Sequence, residues 1–157
     1  MALSAPIYDS RHGRGGALPS LFSRLMDTRR RSRALAAPLS AEDMTVQAMD
    51  DASPTKWHLA HVTWFFETFV LAPHLAGYRI FDPRFAYCFN SYYESEGPRH
   101  PRPFRGVLTR PSVEEVLAYR AHVDAGLERM MGEGAACPAE VVRLIEIGLN
   151  HEQQHQE

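Results

Sequence analysis

The stretch AEVVRLIEIGLNHEQQHQE, residues 139–157, decides how the rest of the chain is read. Its apolar residues recur every three or four positions, the period of a helix, and His-Glu-x-x-His falls at 151–155. Residues four apart share a helix face, so His151 and His155 address one point, with Gln154 on the same side. Ile147 and Leu144 lie one and two turns earlier on that face. The histidine pair thus continues an apolar stripe and is expected to look into a packed interior.

The same spacing marks the helix of many zinc peptidases, in which the glutamate is the general base and a third ligand follows. Glu152 would be that glutamate. No ligand follows His155 before Glu157, and no strand pattern is present to hold a peptide. A peptidase is therefore disfavoured, and the third ligand is sought upstream.

WHLAH, residues 57–61, offers two histidines. His58 and His61 are three apart and share a face, and spacing leaves open which of them completes a site. A packed, hydrogen-bonded role beside Trp57 and Trp64 is the competing reading for either one alone. They sit in DASPTKWHLAHVTWFFETFVLAP, residues 51–73, an aromatic helix with Ser53 as N-cap, Pro54 at the first helical position and Pro73 closing it.

Two further long helices are expected. PSLFSRLMDTRRRSRALAA, residues 19–37, spaces Leu21, Leu25, Thr28 and Leu35 helically, and Arg29, Arg30, Arg31 and Arg33 read as its solvated face. PSVEEVLAYRAHVDAGLERMM, residues 111–131, has Ser112 and Glu115 as a capping box and Val113, Val116, Leu117, Arg120, Val123 and Leu127 as its inner stripe. LSAEDMTVQ, residues 39–47, opens a short helix with Ser40 and Asp43 at the capping positions. Residues 1–18 read as a loose tail, and 19–157 as one bundle. Between Gly77 and Pro111 lie Pro83, Pro98, Pro101 and Pro103 with the aromatic cluster FAYCFNSYYE, a segment expected to be irregular and functional.

With 157 residues, 45% apolar and 23% charged, the chain suits a single core. A net charge of −2 argues against nucleic acid or an anionic membrane as partner. No signal-peptide core or membrane-length apolar run is seen, so a cytoplasmic protein acting on small molecules is expected. Cys88 and Cys137 form no CxxC and read as reduced thiols.

DASPTKWHLAHVTWFFETF, NSYYESEGPRHPRP, RPSVEEVLAYRAHVD and HEQQHQE, in that order, resemble the N-terminal domain of ergothioneine-type sulfoxide synthases, from about Leu39 onward. The resemblance implies an all-α, DinB-like four-helix bundle with a long Pro/Arg-rich loop between the second and third main helices. It also implies a mononuclear non-haem Fe(II) held by His61, His151 and His155, with His58 in support. Such enzymes use O2 to join the sulfur of cysteine or γ-glutamylcysteine to C2 of the trimethylhistidine imidazole, as a sulfoxide. Three neutral imidazoles suit this, because they leave the ion its full charge and open positions for a thiolate.

By the same resemblance Gln154 faces the histidine-derived substrate, and Arg99 and Arg102 hold the thiol's carboxylate. The family's catalytic tyrosine and much of its pocket belong to a second, formylglycine-generating-enzyme-like domain. This chain is accordingly expected to be a fragment cut within its ligand helix, inactive alone, with no catalytic role for Tyr92 or Tyr93. A stand-alone DinB-like protein performing divalent-metal, thiol-dependent transfer is the alternative, as is a non-catalytic metal-stabilised bundle.

Overall fold

The computed structural model describes residues 20–92, 94–132 and 137–157. The expected tail, residues 1–18, and Tyr93 lie outside the described residues. Four main helices form an all-α bundle: α1 (Leu21–Ala36), α2 (Thr55–Phe66), α3 (Val113–Met131) and α4 (Ala139–Gln156). There is no strand among the described residues, and no helix is long and apolar enough to cross a membrane.

α2 is the central element, because its side chains are apolar nearly all round. Trp57, Leu59, Ala60, Val62, Trp64, Phe65 and Phe66 are all buried, which only a helix enclosed by others tolerates. α3 and α4 pack on it, and α1 closes against α4. α4 approaches closely through Gly148, where an added Cβ would stand 2.5 Å from Phe66 Cε1 and 2.8 Å from Phe65 Cε1. Any side chain there would push the two helices apart.

Sequence features explain most boundaries. Ser20 caps α1 by accepting from Ser23 N, and Ser112 and Glu115 form the expected reciprocal box on α3. Ser40 and Asp43 also bond reciprocally, at 3.0 and 3.1 Å, but they begin a single 3-10 turn, Asp43–Thr45, and not a longer helix. Ser53 is not the cap of α2, since Pro54 precedes the first helical residue and the Ser53 hydroxyl accepts from Arg105 instead.

Pro73 does not simply end α2. A wide π-turn, Glu67–Leu71, and a last turn, Ala72–His74, prolong it, and Ala72 N–H bonds Glu67 O. Widening accommodates a proline whose ring clashes with a regular turn. The buried Glu67 carboxylate collects Tyr78 OH at 2.8 Å, Tyr119 OH at 2.7 Å and Phe81 N at 3.0 Å, which ties the loop after α2 to α3. The loop itself is less irregular than expected. Phe85–Phe89 is a short helix whose first and last rings, one turn apart, both reach the core.

The basic run of α1 is the main departure from expectation. Arg29 is 1% exposed and pairs with Asp124 and, at 3.0 Å, with Glu152. Arg120 of α3 reaches the other Glu152 oxygen at 2.7 Å, where Ser32 also donates at 2.7 Å. Thr63 of α2 accepts from Arg120 at 3.0 Å, so the network joins all four helices. An amphipathic reading treats every arginine as surface and misses one whose charge is cancelled inside. Leu35 and Ile147, expected inward, are 46% and 54% exposed.

Candidate metal centre

Two helices bring the histidines together. His61 projects from the enclosed α2, and His151 and His155 from successive turns of α4, directly after the close approach at Gly148. His61 Nε2 and His155 Nε2 each lie 3.1 Å from His151 Nε2, and the three ligand atoms fall within 4.8 Å of one another. His58 is not in this cluster. Its Nδ1 stands 2.7 Å from His155 Nδ1, on the far side of that ring.

Hydrogen bonding fixes which nitrogen is free. His61 Nδ1 is 2.6 Å from Phe89 O. A carbonyl only accepts, so Nδ1 carries the proton and Nε2 presents a lone pair. Trp57 stacks on this imidazole at 4.5 Å and 15°, with Trp64 at 5.9 Å and 15°. Trp57 is itself held by its indole N–H, which donates to Cys88 O at 2.9 Å. The ring therefore has little freedom to turn.

All four imidazoles are kept neutral. Burial, then the neighbouring His151, holds His61 well below the usual histidine value despite the Phe89 carbonyl. His155 is pushed down to about 4 by burial, His151 and His58. Burial also lowers His151 and His58, the latter helped by Arg105. Neutral imidazole is the form that binds a metal.

The three nitrogens fit one cation. Ligand atoms on metal–nitrogen bonds of ordinary length stand about 3.0–3.4 Å apart around the ion, which is the spacing of His151 Nε2 from each of the other two, and all three lie within 4.8 Å of one another. Hydrogen bonding alone is a poorer account of it. One hydrogen on His151 Nε2 serves one of its two neighbours, while a cation serves three lone pairs at once. Binding through His155 Nε2 would leave its Nδ1–H to donate to His58, an orienting partner of the kind metal-bound histidines usually have.

Glu152 does not face this cluster as a general base would. It is fully buried, with both oxygens taken by Arg29, Ser32 and Arg120. Burial opposes its ionisation, but the two guanidiniums hold its carboxyl below the usual range.

A cavity of about 410 Å³ opens beside the histidines, walled by Trp57, Tyr92, Arg102, Arg105 and Gln154. Gln154 and Arg102 thus border the same space as the three imidazoles. Arg99 borders an adjoining cavity of about 310 Å³; it is exposed, 6.0 Å from the Tyr92 ring. Arg102 donates to Tyr92 OH. Arg105 was not among the residues expected here, yet it is 3% exposed and lies 3.5 Å from the Trp57 ring centre. The signal available was the arginine of RPFR, three positions after Arg102.

A neutral trio of nitrogen donors, a cationic wall and an enclosed space equip this end of the bundle to hold a divalent ion and an anionic small molecule together. No curated protein matches the chain. The model of the DinB superfamily matches residues 24–157, which include all but the first three residues of α1, the other three main helices and all three clustered histidines. Divalent-metal binding is typical of that superfamily and many members are metal-dependent enzymes. This chain belongs to the DinB superfamily.

Proposed function

We propose that this bundle is the iron-binding part of a non-haem, O2-dependent sulfoxide synthase that joins a cysteine-type thiol to C2 of the trimethylhistidine imidazole. One observation carries the reading: the loop resembling the synthase segment, with Tyr92, Arg102 and Arg105, folds over the cavity that the three histidines border. Fe(II), when bound, supplies one-electron chemistry with dioxygen and a thiol.

The chain's own residues do the rest of the work assigned to them here. His61, His151 and His155 would hold the ion, and His58 would orient His155. The Trp57 and Trp64 faces keep water from His61, and Arg102 with Arg99 draws an anionic thiol toward the cavity. Gln154 offers an amide to the histidine-derived substrate. No tyrosine here is given a catalytic role; the synthase resemblance assigns it to a formylglycine-generating-enzyme-like domain.

The superfamily-level match favours a second reading, a stand-alone divalent-metal, thiol-dependent transferase. The two separate on one experiment. Fe(II) is added anaerobically, followed by cysteine or γ-glutamylcysteine, and the absorption spectrum is recorded before and after O2 with trimethylhistidine present. A thiolate charge-transfer band that O2 then bleaches supports the synthase. A protein that prefers zinc and shows no O2-dependent change supports the transferase.

A further inference from the structure

Three arginines are buried among the described residues, and two of them are neutralised within the fold. Arg29 pairs with Asp124 and Glu152, and Arg120 with Glu152. Arg105 pairs with no carboxylate among the described residues. Its Nη1 donates to Ser53 Oγ at 2.9 Å and its Nη2 to Ser91 Oγ at 3.3 Å, and its Nε is buried without a partner. Arg120 Nε is also unbonded, but there the charge itself is cancelled.

Hydroxyls and an indole face orient a guanidinium without neutralising it, and a buried charge left so is costly. The surroundings make the deficit larger. Burial, then the neighbouring Arg102, pulls Arg105 down to about 10. Asp51 borders the cavity, but it is exposed and forms no ion pair with these arginines among the described residues. Arg105 borders both the histidine cavity and the adjoining one.

We propose that Arg105 is the anion receptor of the histidine cavity, taking the carboxylate of the entering ligand and so making the cavity selective for small acids. This rests on reading the cavity as the substrate site. Arg102 is engaged by Tyr92 and Arg99 is exposed, so they serve attraction from outside. Arg105 is already oriented by Ser53, Ser91 and Trp57, and little ordering is left to offset when an anion arrives.

The test compares 3-mercaptopropionate with its uncharged amide, using the full chain at constant ionic strength, both metal-loaded and after chelation. Ligand-detected NMR gives the dissociation constants. The acid should bind about tenfold more tightly than the amide in both states, the worth of one charge-assisted pair. R105Q should erase that preference, R102Q should leave most of it, and R105K should retain it in weakened form because the charge remains but the fork is lost. Equal binding of acid and amide by the unaltered protein would overturn the proposal. So would a preference seen only with metal, one that survives in folded R105Q, or one that R105K loses entirely if R105Q fails to fold. Since the chelated protein carries no iron, failure of the synthase reading would leave this result intact.

Discussion

His58 Nδ1 lies 2.7 Å from His155 Nδ1, while His155 Nε2 lies 3.1 Å from His151 Nε2, so His58 sits behind the metal-facing histidines and not among them. Two neighbouring histidines of one helix turn therefore have unequal consequences. His61→Ala should abolish retention of one metal per chain. His58→Ala should keep the site but weaken it by roughly 10–100-fold, the usual effect of losing a partner behind a ligand. Metal content after identical loading and buffer exchange, followed by chelator competition, checks both. Greater loss in the His58 variant would reverse the assignment.

Glu152 is expected to act on stability. Removing one member of a buried, hydrogen-bonded charge network leaves the others unpaired, and Glu152→Ala should cost roughly 3–5 kcal/mol in urea unfolding. The same geometry predicts no peptidase activity, because the carboxylate is committed to Arg29 and Arg120. Chelator-sensitive cleavage of a mixed peptide library by the zinc-loaded chain would contradict this.

Acid should weaken the metal-free protein in two steps. His155, lowered to about 4, is neutral when folded but takes a proton at ordinary histidine values when unfolded. The unfolded state then binds more protons as pH falls from about 6.5 to about 4, and stability drops across that window. Glu152 is held below the usual carboxylate range, so its contribution persists above the unfolded value and is lost only as pH falls through the lower, folded one. Urea midpoints from pH 7 to pH 3 should trace both steps. His155→Gln should reduce the first step, which His58, His61 and His151 share because they too are held below the usual histidine value, and spare the second.

Gly148→Ala tests whether helix spacing sets the site. The added methyl would meet Phe66 and Phe65 at 2.5 and 2.8 Å, and both rings are fully packed. About 1–3 kcal/mol of destabilisation is expected, with weaker metal retention because His151 follows one turn later. A variant that keeps full metal affinity would show that α4 can shift without moving its ligands.

The clear periodicities and caps were legible in the sequence: α3 with its Ser112–Glu115 box, the enclosed α2, and a histidine pair at the end of α4. What escaped was what side chains do to each other across helices. Arg29 looks like one of four surface arginines until Glu152, more than a hundred residues away, is seen beneath it. Nothing local marks Arg105, a loop arginine, as buried; Trp57, Ser53 and Ser91 make it so. The choice between His58 and His61 was likewise open to spacing, since the Phe89 carbonyl that fixes His61 comes from a loop helix read as irregular.

Trp57 and Trp64, the chain's two tryptophans, both stack on His61. The tryptophan emission of the protein, selected by exciting where tyrosine does not absorb, thus arises at a single point, against one imidazole. At that wavelength a spectroscopist would find the remainder of the bundle silent and this corner audible. A filled-shell ion there should mainly shift the band, whereas an open-shell ion should darken it, so a cuvette and a lamp can tell zinc from an open-shell ion such as iron without any label.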